Sequence, residues 1–231
     1  MRFCLSSCAL VVATLGLGMI GTASAAVFND TAGENFDGNA HMDIRSVEVT
    51  NTATDITFKI TLGGSIASPN DWGKYLVGID TGAGSGDGGS PVGNPWGRNI
   101  NMTAKMDAFI GSWADSGGGF QPWVFNGAAW IQNGTGTPVL GSDNTTITTS
   151  LASLGLSLGQ SIGIDVYTSG GNGGDSANDA AANPSQSTSD WPGPYTSNSL
   201  LSYTIAVPEP ASVAMLGLAG AVILRRRQRT A

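Results

Sequence analysis

The tryptophans are the residues of this chain best suited to gripping a ligand, and they divide by context. Trp72, Trp96 and Trp191, together with Tyr195, stand beside proline and glycine, as in Pro69-Asn70-Asp71-Trp72-Gly73 and Asn94-Pro95-Trp96-Gly97. A flat, rigid ring in a turn offers area for stacking on a sugar face, and loops are where binding residues concentrate. These four are the expected ligand-binding residues; the competing reading is that they plug one end of the fold. Trp113, Trp123 and Trp130 fall in strand-like segments and read as packing residues.

The acids are the second set. Asp80, Asp87, Asp175 and Asp179 sit in polar loop segments and are the expected metal ligands, because calcium takes carboxylate and carbonyl oxygens. The alternative is that they are solvated loop acids. Asp80–Pro91 is not an EF-hand loop, having glycine at its third and fifth positions and proline at its twelfth. Gly82–Gly86 lacks the lysine and following helix of a phosphate cradle.

Catalytic chemistry is poorly supplied. His41 is the one histidine, expected at an exposed strand entry, and no Gly-x-Ser-x-Gly elbow occurs. Paired carboxylates could hydrolyse a glycoside, but nothing singles out two of the acids. The chain therefore reads as a non-enzyme that requires no cofactor, with calcium the one ion its loops would take.

Charge and cysteine usage depend on separating the ends from the middle. Residues 26–207 hold five Lys+Arg against sixteen Asp+Glu, a net charge of −11. That excludes a nucleic-acid backbone as partner, which needs clustered cations. Cys4 and Cys8 both precede residue 26, so the middle has neither disulfides nor thiolate metal sites. Residues 1–25, with Arg2, the apolar run Ala9–Ile20 and Ala23-Ser24-Ala25, read as a secretory signal peptide cut before Ala26. The Sec translocon and signal peptidase are its implied partners. At the other end, Val207-Pro208-Glu209-Pro210 precedes the apolar segment 211–224 and the basic cluster Arg225, Arg226, Arg227 and Arg229. A helix of this length spans about 21 Å at ~1.5 Å per residue, short of a ~30 Å hydrocarbon core. The arginines would act as a cytoplasmic stop, by the positive-inside rule.

The order of extended Pro-Glu-Pro, short apolar helix and arginine cluster resembles the PEP-CTERM sorting signal. The resemblance implies a Gram-negative exopolysaccharide producer, transient anchoring in the inner membrane, and cleavage near Pro208–Pro210 by an exosortase. The product would lie at the cell surface or in the extracellular matrix.

The middle, 26–206, must position the rings and acids, and its periodicity is two. Ile56, Phe58, Ile60 and Leu62 alternate with Thr57, Lys59 and Thr61. Ile44–Thr50 precedes them across a turn. Further strands are expected at Lys74–Asp80, Arg98–Met102, Met106–Trp113, Gln121–Phe125, Ala128–Gln132, Thr145–Leu151, Ser161–Thr168 and Leu200–Ala206, nine or ten in all. Asn126-Gly127 marks a hairpin, Leu151–Leu158 a helical turn, and Thr81–Gly97 and Gly170–Tyr195 long loops. The fold class is all-β, an antiparallel two-sheet β-sandwich of jelly-roll or DOMON-like kind. Gly38–Ile44, the hairpin, Tyr75-Leu76-Val77-Gly78-Ile79-Asp80-Thr81 and Leu151–Leu156 before Ile162–Tyr167 resemble DOMON-like sandwiches related to family-nine carbohydrate-binding modules. That resemblance implies aromatic side chains presented to sugars.

The sequence thus predicts an exported, non-catalytic, exopolysaccharide- or matrix-associated binding protein. The alternatives are a secreted polysaccharide hydrolase and a purely structural envelope protein. Replacing Pro208, Glu209 and Pro210 with alanine makes the extended stretch helix-competent and should leave a longer, membrane-retained product. Mass spectrometry of the wild-type mature protein should find no Arg225–Arg229, and finding those residues would refute processing.

Overall fold

A computed structural model describes residues 24–83, 93–183, 185 and 188–207. Fourteen strands lie among them: β1 (Ser24–Asn29), β2 (Ile44–Asn51), β3 (Asp55–Leu62), β4 (Lys74–Asp80), β5 (Ile100–Met102), β6 (Ala108–Trp113), β7 (Gly119–Phe125), β8 (Trp130–Gln132), β9 (Val139–Leu140), β10 (Asn144–Ser150), β11 (Ser161–Ser169), β12 (Ala177–Ala180), β13 (Tyr195–Ser197) and β14 (Leu201–Thr204). The helical elements among the described residues are short 3-10 turns, at Ala40–Met42, Asp115–Gly117 and Ala152–Leu154. No helix among them is long and apolar enough to cross a membrane. The expected signal peptide to residue 23, the apolar segment 211–224 and the basic tail lie outside the described residues.

The described residues form an all-β fold of two antiparallel sheets and one small parallel sheet, β13-β5. Sheet A runs β1-β2-β3-β10-β9, and sheet B runs β12-β11-β4-β6-β7-β8, with β14 also pairing β11. The β2–β3 hairpin turns through Thr52–Asp55, where the Thr52 N–H donates to the Asp55 carbonyl and Thr52 Oγ1 accepts from the Asp55 N–H. Period-two alternation then does the sorting. Val47 and Val49 of β2, Ile56, Phe58 and Ile60 of β3 and Ile147 of β10 face inward. They pack with Val77, Ile79, Ala108, Ile110, Ile162, Ile164 and Val166 of sheet B.

Sheet B is apolar on its other face as well. Leu76, Phe109 and Tyr167 point away from sheet A and are covered by Ile100, Met102, Met106, Ala177, Ala180 and Tyr195, with Trp96, Trp123 and Trp130 at the margin. The covering layer includes the parallel pair β5–β13. Double coverage explains why β4 reads Tyr-Leu-Val-Gly-Ile without alternation and is buried throughout those five residues.

Four strands depart from the sequence-based expectation. β1 begins two residues before the predicted signal-peptide cut. β9 is only two residues long. β12 and β13 lie within the segment expected to be the long loop Gly170–Tyr195 or at its border. Residues 175–182 are buried there despite their polar composition, because β12 pairs with the end of β11.

Within this layering Asp165 of β11 is wholly enclosed. Its Oδ1 accepts from the Val166 and Ala182 N–H groups at 2.8 and 2.9 Å, and its Oδ2 from the Ser197 hydroxyl. Burial pushes its pKa from the ordinary 3.8 to about 7, against the opposing pull of those donors. The unfolded chain ionises this carboxyl near 3.8 while the folded chain keeps the proton to about 7. Its contribution to stability is therefore full below the lower value and is lost as pH rises to the upper one. The wild-type Tm should fall relative to that of Asp165→Asn between about pH 4 and pH 7, whereas a constant difference would mean the residue is charged in the fold.

Candidate functional site

Trp72 and Trp191 meet although they lie far apart in sequence. Their rings stand edge to face with centroids 5.9 Å apart. Phe36 packs edge-on against Trp191 at 4.8 Å, and His41 against Trp72 at 4.8 Å, so four rings form one run. Both indoles are half-buried and line an open groove of about 350 Å³. Asp37, Asn39, Asn172 and Asp175 supply its polar groups, and Gly170 and Gly171 part of its wall. A Cβ at Gly170 would collide with Asp175 Oδ2 and crowd the Trp191 ring at 3.0 Å, so glycine there lets both lie close to the backbone.

The groove is held from beneath by Arg98, a residue that composition alone did not single out. Its guanidinium is buried, and Nη1 donates to the carbonyls of Gly170 at 2.8 Å and Asn172 at 2.6 Å. Asp175 Oδ2 lies 3.8 Å from it and also accepts from the Asn172 N–H. Burial lowers the Arg98 pKa, while the Asp175 charge raises it. The arginine thus fixes the carbonyls of the groove's wall. On the opposite side, Asp37 accepts from the side-chain amides of Asn35, Asn39 and Asn178. Asp37 and Asp175 are therefore both engaged in holding backbone and amides in place.

The remaining expected residues go elsewhere. Trp96 lies flat over Gly111 of β6, where a Cβ would collide with its ring, and its Nε1–H donates to Gln121 Oε1 at 3.1 Å. The Arg98 guanidinium sits 5.7 Å above the same ring. Tyr195 is buried in β13 with its ring against Tyr167. Both aromatics belong to the cover of sheet B and are separate from the groove. His41, expected to be exposed, is 2% exposed on a 3-10 turn beneath Trp72. Its Nε2 has no hydrogen-bond partner, and burial holds its pKa below the ordinary 6.5 while the Asp37 charge acts in the opposite direction. Trp123 and Trp130 flank the Asn126-Gly127 turn as expected, with Asn126 Oδ1 accepting from the N–H groups of Ala128 and Ala129.

Of the four expected metal ligands, the three that are described take different partners. Asp80 Oδ1 caps the N–H of Gly82, Asp175 serves the groove's wall, and Asp87 lies outside the described residues. Asp179 of β12 instead meets Asp30 and Glu34, with one oxygen of each within 4.8 Å of the others. Asp179 is fully buried and accepts from the N–H groups of Ile44 at 2.6 Å and Ala180 at 2.7 Å. Burial pushes its pKa to about 8, with the charges of Asp30 and Glu34 adding to the rise, and burial pushes Asp30 to about 7, with the charge of Glu34 adding.

Residues 206–228 match the model of the PEP-CTERM protein-sorting motif. The chain carries an exosortase sorting signal. It is thus a protein exported to the cell surface or the extracellular space, as the Pro-Glu-Pro sequence led us to expect. Val207, the first residue of the expected processing stretch, is exposed at the end of the described fold; Pro208, Glu209, Pro210 and the arginines lie outside it. No curated protein matches the chain, and no solved structure does.

The two kinds of loop tryptophan should separate in unfolding experiments. Trp96→Ala empties the space over Gly111 and should cost about 3 kcal/mol of stability in denaturant titration. A loss under about 1 kcal/mol would place Trp96 among exposed rings instead.

Proposed function

We propose that the exported sandwich is a non-catalytic binding component of the extracellular matrix, which holds exopolysaccharide in the groove between Trp72 and Trp191. The observation that carries this reading is the convergence of two half-buried indoles on one open groove edged by amides and carboxylates. An indole face packs against the C–H face of a pyranose, while Asn and Asp side chains pair with hydroxyl groups. Sites of this kind join apolar area to a few placed polar groups. The resemblance to DOMON-like sandwiches with sugar-facing aromatics points the same way.

The hydrolase reading loses ground at the groove itself. Glycoside hydrolysis needs one carboxyl to protonate the leaving oxygen and a second to attack or to activate water. Asp37 is already bonded to three asparagine amides, and Asp175 accepts from the Asn172 N–H beside the Arg98 guanidinium. Both act as structural acceptors. In this reading the Sec translocon, signal peptidase and exosortase handle the protein in turn. The C-terminus crosses the inner membrane only until it is cleaved, and the bound ligand lies outside the cell.

The test is affinity electrophoresis of the purified protein through exopolysaccharide from the producing cells. Trp72→Ala and Trp191→Ala should each weaken retention at least tenfold, about 1.4 kcal/mol, with circular dichroism unchanged. Trp96→Ala, where it remains folded, should retain wild-type affinity. Absence of retention by the wild type, or equal retention by all three variants, would overturn the assignment.

A further inference from the structure

We infer that Asp30, Glu34 and Asp179 bind a divalent cation, calcium by their chemistry, which fastens the segment between β1 and β2 onto β12. The three carboxylates come from two distant stretches of chain and bring an oxygen each to within 4.8 Å of one another. A separate observation gives the cluster its meaning. When both groups are ionised, both oxygens of Glu34 and Oδ2 of Asp30 are closed to solvent with no donor among the described residues. Asp179, wholly buried, takes one backbone donor on each oxygen, which leaves lone pairs free on both. Buried acceptors without donors are costly, and buried like charges more so.

No side chain of the domain offers the missing positive charge. Arg45 pairs with Asp43, Lys74 with Asp115, and Arg98 lies by Asp175. Lys59 stands opposite Glu48 across the β2–β3 ladder, on the solvent face, and Lys105 is exposed after β5. Relief must therefore come from a proton, which the raised pKa values of Asp30 and Asp179 let the site hold, or from an external ion that displaces it. The donors are all carboxylate oxygens, with no imidazole or thiolate, which selects a hard cation. Magnesium prefers to keep several waters in a strict octahedron, whereas calcium accepts an irregular shell of protein oxygens.

The site sits where the ion would matter to the groove. The segment that supplies Asp30 and Glu34 continues through Phe36, Asp37 and Asn39, and Asp37 is tied to Asn178, the neighbour of Asp179. Binding would thus set one wall of the groove, whatever that groove holds.

The full chain in mild detergent, stripped with chelator and dialysed, is titrated with calcium chloride or magnesium chloride. Calorimetry should count one calcium per chain with weaker binding of magnesium. The Tm should rise by roughly 5–10 °C at a hundredfold excess over Kd. Amides of residues 31–43 should exchange more slowly with calcium present. Asp179→Asn and Glu34→Gln should abolish the rise while keeping the chelator-treated Tm at or above wild type, since each removes one of three crowded acids. Asp190→Asn, an exposed acid, should respond as wild type does. If Asp179→Asn fails to fold, Glu34→Gln, a half-buried loop residue, carries the test. A wild type that binds no calcium at millimolar concentration, or a calcium response that survives in Glu34→Gln, would overturn the site. Neither outcome depends on polysaccharide binding.

Discussion

Sheet B has two apolar faces to bury and only one opposing sheet to bury them. Sheet A covers Val77, Ile79, Ile110 and Val166, and the chain must fold its own connections over Leu76, Phe109 and Tyr167. The described parts of residues 93–107 and 170–200 do this, and they carry Trp96, Arg98, Asp175, Asp179, Trp191 and Tyr195 with them. Apolar area is the driving term, at about 25 cal/mol per Å² removed from water. The connections are polar, so their backbone groups need partners once they lie on the sheet. Asn94 donates to the carbonyls of Arg98 and Ile100, and Arg98 donates to those of Gly170 and Asn172. The groove is therefore a by-product of covering the sheet: its wall stands where a buried guanidinium gathers carbonyls that would otherwise lack donors.

The same constraint decides which tryptophans are free. A ring near Gly111 is drawn onto the second face of the sheet, and Trp96 is so drawn. Trp72 and Trp191 pack against each other, His41 and Phe36, with Trp191 also lying close to Gly170. Partial burial leaves ring area toward the groove. Rigidity comes from the edge-to-face packing, worth about 0.5–1.5 kcal/mol per pair, so little rotamer freedom would be lost on binding a ligand.

Much of the sandwich was legible from alternation. Ile56, Phe58, Ile60 and Leu62 face one way because the strand period allows nothing else, and β3, β4 and β11 lie within a residue or so of the expected bounds. Ala177-Asn178-Asp179-Ala180 carries no alternation, and its polar side chains are satisfied by partners in the segment after β1, which no local pattern encodes. Tyr195 looked like a loop residue beside Gly193 and Pro194, yet it opens the three-residue parallel strand β13. For Trp96 a signal was present: a glycine inside β6 marks a close approach by something large. The pairing of Trp72 with Trp191, and of Asp179 with Asp30 and Glu34, depends on how the connections cross sheet B, and such contacts have no trace in spacing.

The boundary between fold and sorting signal has its own physical marker. Asn51, buried at the end of β2, accepts from the Tyr203 hydroxyl at 2.6 Å and the Ala206 N–H at 2.9 Å, and donates to the Ala206 carbonyl at 3.0 Å. That clamp closes the domain at Ala206, and the matched sorting motif begins at the same residue. Val207 is already exposed, and the prolines that follow cannot extend a ladder because Pro208 and Pro210 lack a backbone donor. Cleavage anywhere past Val207 therefore leaves each of these bonds intact and removes no buried side chain of the sandwich.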